Sequence, residues 1–390
     1  MTHPLSRKEH LVDAFAAHYA SEPTIWARAP GRVDLMGSHT DYNLGHVLTM
    51  PVDRDLWIAA RPRSDRVVQV RSLDIEGGGS FSLDAITRDE ASPWTDYVRG
   101  VAAVLLGKGY ALRGFDGLVH STIPLGSGLS SSAALEAATA VLFQMLGSWE
   151  IDPVQMALLC QRAENEFVGM NCGILDQYTS ILGQAGRALL LDCRDLTSQP
   201  VALPEGVQVV ICDTRAKREL TGSEYGERRA QCEEGTRLLA HFYPGVTALR
   251  DVTLARFEAH EADLPSVVAW RCRFIIEENE RVLRLAEVLP EGDRVAIGAL
   301  LAASYEGARD LYEIGSPEME VMMAAMLGAP AVVGARQAGA GFGGCMVAIV
   351  EDEGVGTFER CVRQSYVTAT GIEPEVYPVR AAAGAGALAG

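Results

Sequence analysis

The thirteen-residue stretch PLGSGLSSSAALE at residues 124–136 constrains this chain more than any other. Gly126 and Gly128 admit backbone conformations that a β-carbon discourages. Ser130, Ser131 and Ser132 follow, and an alanine-rich segment reads on as a helix to about Leu146. Hydroxyls and free N–H groups therefore gather at a helix start, where the positive end of the helix dipole favours an anion. The stretch is a phosphate site in outline. Its plainer alternative is a turn leading into a serine-capped helix. It is not a Walker A loop, because no Gly-Lys-Ser/Thr follows the glycines.

A chain of 390 residues suggests two domains, and the polar connection at residues 194–204 places the boundary loosely at 195/196. The formal charge of −17 argues against sequence-independent nucleic-acid binding, which needs a basic surface. An acidic chain that handles a polyphosphate must supply positive charge locally, through a metal, a few basic side chains or helix N-termini. The eight cysteines form no C-x-x-C pair and no zinc-like cluster, so they read as reduced thiols. With no apolar leader segment and no run of about 18 apolar residues, a cytoplasmic protein without a membrane span is expected.

Upstream of the glycine–serine stretch, Ile25 opens a strand that Pro30 and Gly31 should turn. Arg32, Asp34, His39 and Asp41 then crowd into ten residues among Val33, Leu35 and Met36, which favours a polar pocket over a solvated turn. Further strands are expected at 47–50, 56–60, 67–72, 80–83 and 117–121, with helices at 11–19 and from Pro93 to about Leu106. A helix over 152–168 places Glu164 inside an apolar stretch, where an unpaired carboxylate is costly. Asp176 is similarly placed among Ile174, Leu175 and Tyr178. Each acid either faces solvent or caps a helix, or holds something positive. Strands at 188–192 and 207–212 lead into a helical region running to about Leu327. Gly339, Gly341 and Gly344 satisfy G-x-G-x-x-G, but they precede a strand instead of opening a helix. That order excludes a dinucleotide fingerprint and leaves a glycine hairpin that lets backbone approach a ligand. The tail at 381–390 is Ala, Gly and Leu with one arginine before it, free unless it docks.

Three motifs now stand in order: GRVDLMGSHTDY at 31–42, the glycine–serine stretch, and AGAGFGG at 338–344. Together they resemble the three motifs of the GHMP kinases, the family acting on galactose, homoserine, mevalonate and phosphomevalonate. The first motif is similar to the galactokinase form, and so are segments at 160–180, 223–234, 277–281 and 316–320. The resemblance implies an α/β (α+β) fold of two lobes with the active site in the cleft between them. It implies transfer of the γ-phosphoryl of ATP to the anomeric hydroxyl of a monosaccharide, with magnesium. By matching position, Asp176 is the catalytic carboxylate and Arg32 its partner. Gly126, Ser127, Gly128, Leu129, Ser130, Ser131 and Ser132 line the triphosphate, and Ser132 and Glu164 hold the magnesium. Ser38, His39, Asp41, Gly173 and Tyr225 fall at sugar-binding positions. A monomer or weak homodimer is expected, with no nucleic-acid partner.

The chain departs from the family pattern at several of these positions. Asp34, Met36 and Ser38 stand where Asn, Ile and Glu are usual, Arg218 and Phe274 replace histidines, and Ala338 replaces a threonine. The resemblance assigns the missing glutamate to the sugar's C6 hydroxyl. Serine there opens an alternative to D-galactose, namely galacturonate or L-arabinose, with Arg218 available to pair a carboxylate. A non-catalytic sugar sensor would be expected to have damaged the phosphate loop or the Arg32/Asp176 pair, and neither is damaged. The HTDY segment at 39–42 argues against mevalonate or homoserine as the acceptor.

Overall fold

The computed structural model describes residues 6–170, 172–216 and 223–388. Helix α1 (Arg7–Tyr19) begins at a capping box between Ser6 and Glu9 and buries Leu11 and Phe15. Strands β1 (Ile25–Met36), β2 (His46–Pro62), β3 (Val67–Ser72) and β4 (Gly78–Ser82) follow, then α2 (Thr95–Gly107), β5 (Phe115–Ser121) and α3 (Ser131–Gly147). Helix α4 (Pro153–Arg162) starts at an Asp152 cap with proline in its first turn and passes into a π-helical turn, Ala163–Val168. Next come α5 (Leu175–Leu182), β6 (Arg187–Asp192), β7 (Thr197–Ala202), β8 (Val207–Asp213) and α6 (Ser223–Phe242). The remainder is α7 (Leu254–Glu258), α8 (Ser266–Glu291), α9 (Arg294–Asp310), α10 (Pro317–Leu327), β9 (Val332–Gln337), β10 (Cys345–Glu351), α11 (Val355–Thr370), β11 (Glu375–Val379) and β12 (Gly386–Ala387).

The chain divides into two compact units, both discontinuous: Met1–Arg32 with Pro51–Ala185 and Ala382–Gly390, and Val33–Met50 with Gly186–Ala381. A single cut at 195/196 is expected from the sequence; instead β1 and β2 each run from one unit into the other. In the first unit the strands are ordered β12-β1-β2-β5-β3-β4, with β3 and β5 parallel. Leu11, Phe15, Trp26, Ala59 and Leu118 pack as one of its apolar clusters. In the second unit the start of β2 pairs with β6, and β6 with β7. A separate antiparallel sheet, β11-β8-β10-β9, packs under α10 and α11 through Met322, Met326, Phe358 and Tyr366.

Three local expectations change. No turn forms at Pro30 and Gly31; β1 continues through them because the glycine–serine loop closes on it. A β-carbon on Gly31 would lie 2.7 Å from the Leu129 carbonyl oxygen, which the Arg32 N–H meets at 3.1 Å. The polar connection at 194–204 contains a strand, β7, because its ladder to β6 needs backbone only and its outer side chains stay wet. The Ala/Gly tail docks as β12, Ala27 opposite Ala387 and Arg28 opposite Gly386. Its small residues permit this, since a β-carbon on Gly384 would fall 2.2 Å from the Ile181 carbonyl oxygen.

Candidate active site

In the first unit the glycine–serine loop joins β5 to α3. Gly126 and Gly128 both take φ of +74°, which glycine adopts at little steric cost. Ser130 precedes α3 at φ +60°, a left-handed conformation that strains a residue carrying a β-carbon, and its side chain makes no capping bond. Its hydroxyl donates instead to Asp176 Oδ2 in a short hydrogen bond. The serine-capped-helix reading therefore fails at this residue: the hydroxyl is directed at the carboxylate and the first N–H groups of α3 are left to other acceptors.

Asp176 sits in the first turn of α5. Arg32 presents Nε and Nη2, each 2.7 Å from Asp176 Oδ1, and its Nη1 donates to the Gly128 carbonyl at 2.7 Å. One guanidinium thus ties the carboxylate to the loop backbone. Gly173 lies half-buried two residues ahead of α5. Ser127 and Leu129 turn away from the loop's open side. The Ser127 hydroxyl donates to the Pro124 carbonyl at 2.7 Å, and the Leu129 side chain joins the core at 1 % exposure. Their backbone, not their side chains, faces the loop.

Glu164 projects from the π-helical turn, a geometry found at functional positions more often than chance. Gln177 donates through Nε2 to Glu164 Oε2 at 2.6 Å and to Glu136 Oε2 at 2.9 Å, and the Cys172 thiol reaches Glu164 Oε2 at 3.2 Å. Burial raises the Glu164 carboxyl above the ordinary carboxylate range and Asp176 adds to the rise; hydrogen bonds from Cys172, Gln177 and Ser132 oppose it. Burial also holds Glu136 well above that range, with Glu164 and Asp176 contributing. Glu136, 0 % exposed on α3, and Gln177 escaped the sequence reading. The signal was present, since a lone carboxylate interrupts an otherwise apolar helix.

In the second unit, β1 leads into a turn carrying Ser38, His39 and Asp41. Ser38 is buried; its hydroxyl donates to Asp34 Oδ2 at 3.1 Å and accepts from Arg336 Nη2 at 2.9 Å. Arg336, fully buried, also donates to Ser304 Oγ at 2.9 Å, the Leu35 carbonyl at 3.2 Å and Glu278 Oε1 at 3.2 Å. Arg281 Nε meets Glu278 Oε2 at 2.8 Å. Burial alone would raise the Glu278 carboxyl, yet Arg281 and Arg336 hold it below its ordinary value. Two guanidinium groups thus face two carboxylates, with Ser38 and Ser304 between them. Asp41 is half-buried in a 3-10 turn, Asp41–Asn43, and the Tyr225 ring on α6 lies 5.3 Å from that of His39. Arg218 falls outside the described residues.

The glycine motif joins β9 to β10, which pair antiparallel, so it is a hairpin and not a strand-to-helix turn. Gly339, Gly341, Gly343 and Gly344 all have positive φ. A β-carbon on Gly341 would lie 2.5 Å from the Ile314 carbonyl oxygen. All eight cysteines are free, among the described residues no helix is long and apolar enough to cross a membrane, and none shows a cluster of three or more His, Cys, Asp or Glu side chains that could hold a metal ion.

Three family models match in chain order. The galactokinase galactose-binding signature covers residues 13–62, the GHMP kinases N terminal domain 96–184, and the GHMP kinases C terminal region 285–368. The mixed α/β fold and its loop are those of a GHMP kinase. A solved mevalonate kinase from Methanococcus jannaschii shares that fold at a TM-score of 0.66 and 16 % identity, covering 92 % of this chain and 98 % of that one. Among curated proteins, galactokinase of Roseiflexus sp. (strain RS-1) is 43 % identical over 96 % of each chain. Galactokinase of Chloroflexus aggregans is 44 % identical over 96 % of this chain and 95 % of its own. The Lactococcus lactis galactokinase, solved in complex with galactose, superposes at a TM-score of 0.91 with 31 % identity, covering 97 % of this chain and 99 % of that one. The chain belongs to the galactokinase family and is a sugar kinase.

Proposed function

We propose that this protein transfers the γ-phosphoryl group of ATP to the anomeric hydroxyl of D-galactose, giving galactose 1-phosphate. The observation that carries the reading is the Arg32–Asp176–Ser130 constellation at the N-terminus of α3. Backbone N–H groups of the loop and of the first turn of α3 receive phosphate oxygens. Asp176 orients the anomeric hydroxyl and takes its proton as the O–P bond forms, and Arg32 faces the charge spread over the transferring group. Asp41 and Tyr225 supply polar groups to the sugar.

Ser132 and Glu164 fit a magnesium ion. Both offer hard oxygen atoms, and a cation would offset the charge that burial makes costly at Glu164. When bound, the ion neutralises charge on the β- and γ-phosphate oxygens.

The Ser38 substitution supports galactose over galacturonate. The serine hydroxyl is already committed to Asp34 and Arg336, and the Asp34 carboxylate 3.1 Å away returns the negative charge that a missing glutamate would have removed. A uronate would bring a third carboxylate to a group in which Arg336 and Arg281 already balance Asp34 and Glu278, whereas a C6 hydroxyl adds no charge. The test is ADP release with Mg-ATP against D-galactose, D-galacturonate, L-arabinose, D-glucose and mevalonate, compared as kcat/KM. Galactose should lead; galacturonate or arabinose ahead would overturn the assignment, and inactivity on every sugar would overturn the reaction.

A further inference from the structure

His39 is at a sugar-binding position by resemblance, yet both of its ring nitrogens are already engaged. Nε2 lies 2.9 Å from the Ala340 carbonyl oxygen in the glycine hairpin, and Nδ1 lies 2.8 Å from the Tyr42 hydroxyl. A carbonyl can only accept, so Nε2 carries the proton. In the neutral ring Nδ1 then accepts, and Tyr42 must donate to it. Tyr42 has spent its one proton, so the Tyr312 hydroxyl, 2.7 Å away, donates to Tyr42. Tyr312 in turn stands 3.1 Å from Cys232 Sγ.

From the His39 ring the path thus runs through Tyr42 and Tyr312 to Cys232. Asn43 Nδ2 holds the backbone of the same turn, donating to the His39 carbonyl at 2.9 Å. Three tyrosine rings enclose the imidazole, at 5.7 Å for Tyr42, 5.3 Å for Tyr225 and 4.9 Å for Tyr312. His39 itself holds φ of +65°, a conformation that persists in such a residue only when its surroundings enforce it.

We infer that His39 is a latch rather than a sugar ligand: it fixes the turn at 37–43 to the glycine hairpin at 338–344, the Ala340 carbonyl sets its tautomer, and the Tyr42–Tyr312 hydroxyl pair holds the ring's other nitrogen. Tyr312 is therefore a positioning residue, acting on the sugar-binding turn through His39 and Tyr42. Burial, aided by the charges of Arg228 and Arg336, keeps the ring neutral and so supports the same tautomer. The effect on sugar affinity rests on the galactokinase reading; the tautomer does not.

The first readout is nitrogen-15 NMR of the histidine side chains in the full chain, with His39 assigned through His39→Gln. A protonated, slowly exchanging Nε2 with an unprotonated Nδ1 is expected; a protonated Nδ1 or an averaged ring overturns the latch. The second is Tyr312→Phe, which removes one hydroxyl and keeps the ring. It should leave Nε2 protonated, shift the Nδ1 resonance as the Tyr42 hydroxyl loses its donor, and raise KM for galactose about tenfold, the upper range for one lost hydrogen bond, with KM for ATP within about twofold. Loss of thermal stability alone, with the Nδ1 resonance and KM unmoved, overturns the positioning role. If the parent protein leaves galactose untouched, the functional reading fails while the NMR measurement still decides the latch.

Discussion

Arg32 and Asp176, 144 positions apart, meet through two guanidinium nitrogens that each lie 2.7 Å from one carboxylate oxygen. The second oxygen takes the Ser130 hydroxyl. Asp176 is thereby aimed from both sides, as a group that must present one lone pair to an incoming hydroxyl requires. Asp176→Ala should lower kcat by about 10²–10⁴-fold while ATP binding by calorimetry is retained. Near-normal turnover in that variant would remove Asp176 from the mechanism.

Ser130 separates conformational cost from chemistry. At φ +60° an alanine keeps the strain and loses the hydroxyl, whereas a glycine loses the hydroxyl and relieves the strain. Ser130→Gly should therefore be more stable than Ser130→Ala by about 1 kcal/mol, while both lose kcat to a similar degree. Equal unfolding midpoints in urea would show that the left-handed conformation carries no cost here.

The candidate residues differ in how far the sequence revealed them. The glycine–serine stretch is compact, and its local chemistry and spacing suffice to suggest a phosphate site, whereas Arg32 reads only as part of a polar pocket and takes its role from the family resemblance. The sequence alone left Glu164 and Asp176 open between a solvated or capping role and holding something positive; the family resemblance, not spacing, paired Asp176 with Arg32 and Glu164 with a metal. Gln177 and Tyr312 were not legible, because their roles come from contacts with residues far away in the chain, and an isolated Gln or Tyr in a helical stretch carries no local signal. The same limit hid the continuation of β1 through Pro30 and Gly31. A proline and a glycine read as a turn until the loop carbonyl that needs the missing β-carbon is in place.

Glu164 offers a check on magnesium that does not depend on turnover. A divalent ion held by Ser132 and Glu164 binds only the folded chain, so saturating Mg-nucleotide should raise the unfolding temperature; at about 100 times its dissociation constant it adds about 2.7 kcal/mol. Glu164→Gln keeps the shape and an oxygen but removes the charge. The variant should show less than half of that thermal shift with Mg-ATP. An unchanged shift would place the ion elsewhere.

The pH dependence of stability should carry the mark of His39. Its folded pKa is lowered to about 4 by burial, against 6.5 for the free side chain. Between those values the unfolded chain binds the extra proton and the folded chain does not, so stability rises with pH through this window and is lost as acid is added. Over the full interval the cost is about 3 kcal/mol. Urea unfolding of the parent and of His39→Gln from pH 7 to 4 isolates this contribution, because the carboxylates and the other histidines titrate in both proteins. Parallel curves would mean that His39 takes up its proton in the folded state.

Asp34, Ser38 and Arg336 should respond to substitution as a set. Arg336 and Arg281 balance Asp34 and Glu278 in a region where Arg336 and Glu278 are 0 % exposed and Asp34 is 1 % exposed. Removing one charge from such a group leaves another buried without compensation, so Arg336→Met should destabilise the fold by about 3–5 kcal/mol. Ser38→Glu alone adds a third carboxylate beside Asp34, which Ser38 already contacts at 3.1 Å, and should also destabilise. Asp34→Asn removes that conflict while leaving an amide oxygen to accept. The double variant Asp34→Asn/Ser38→Glu restores the count of two against two, with the carboxylate moved from position 34 to position 38. It should recover at least half of the stability lost in Ser38→Glu, a coupling readable in a double-mutant cycle of urea midpoints. Additive losses would show that the two positions are independent, and that the neutral serine at 38 owes nothing to the charge at 34.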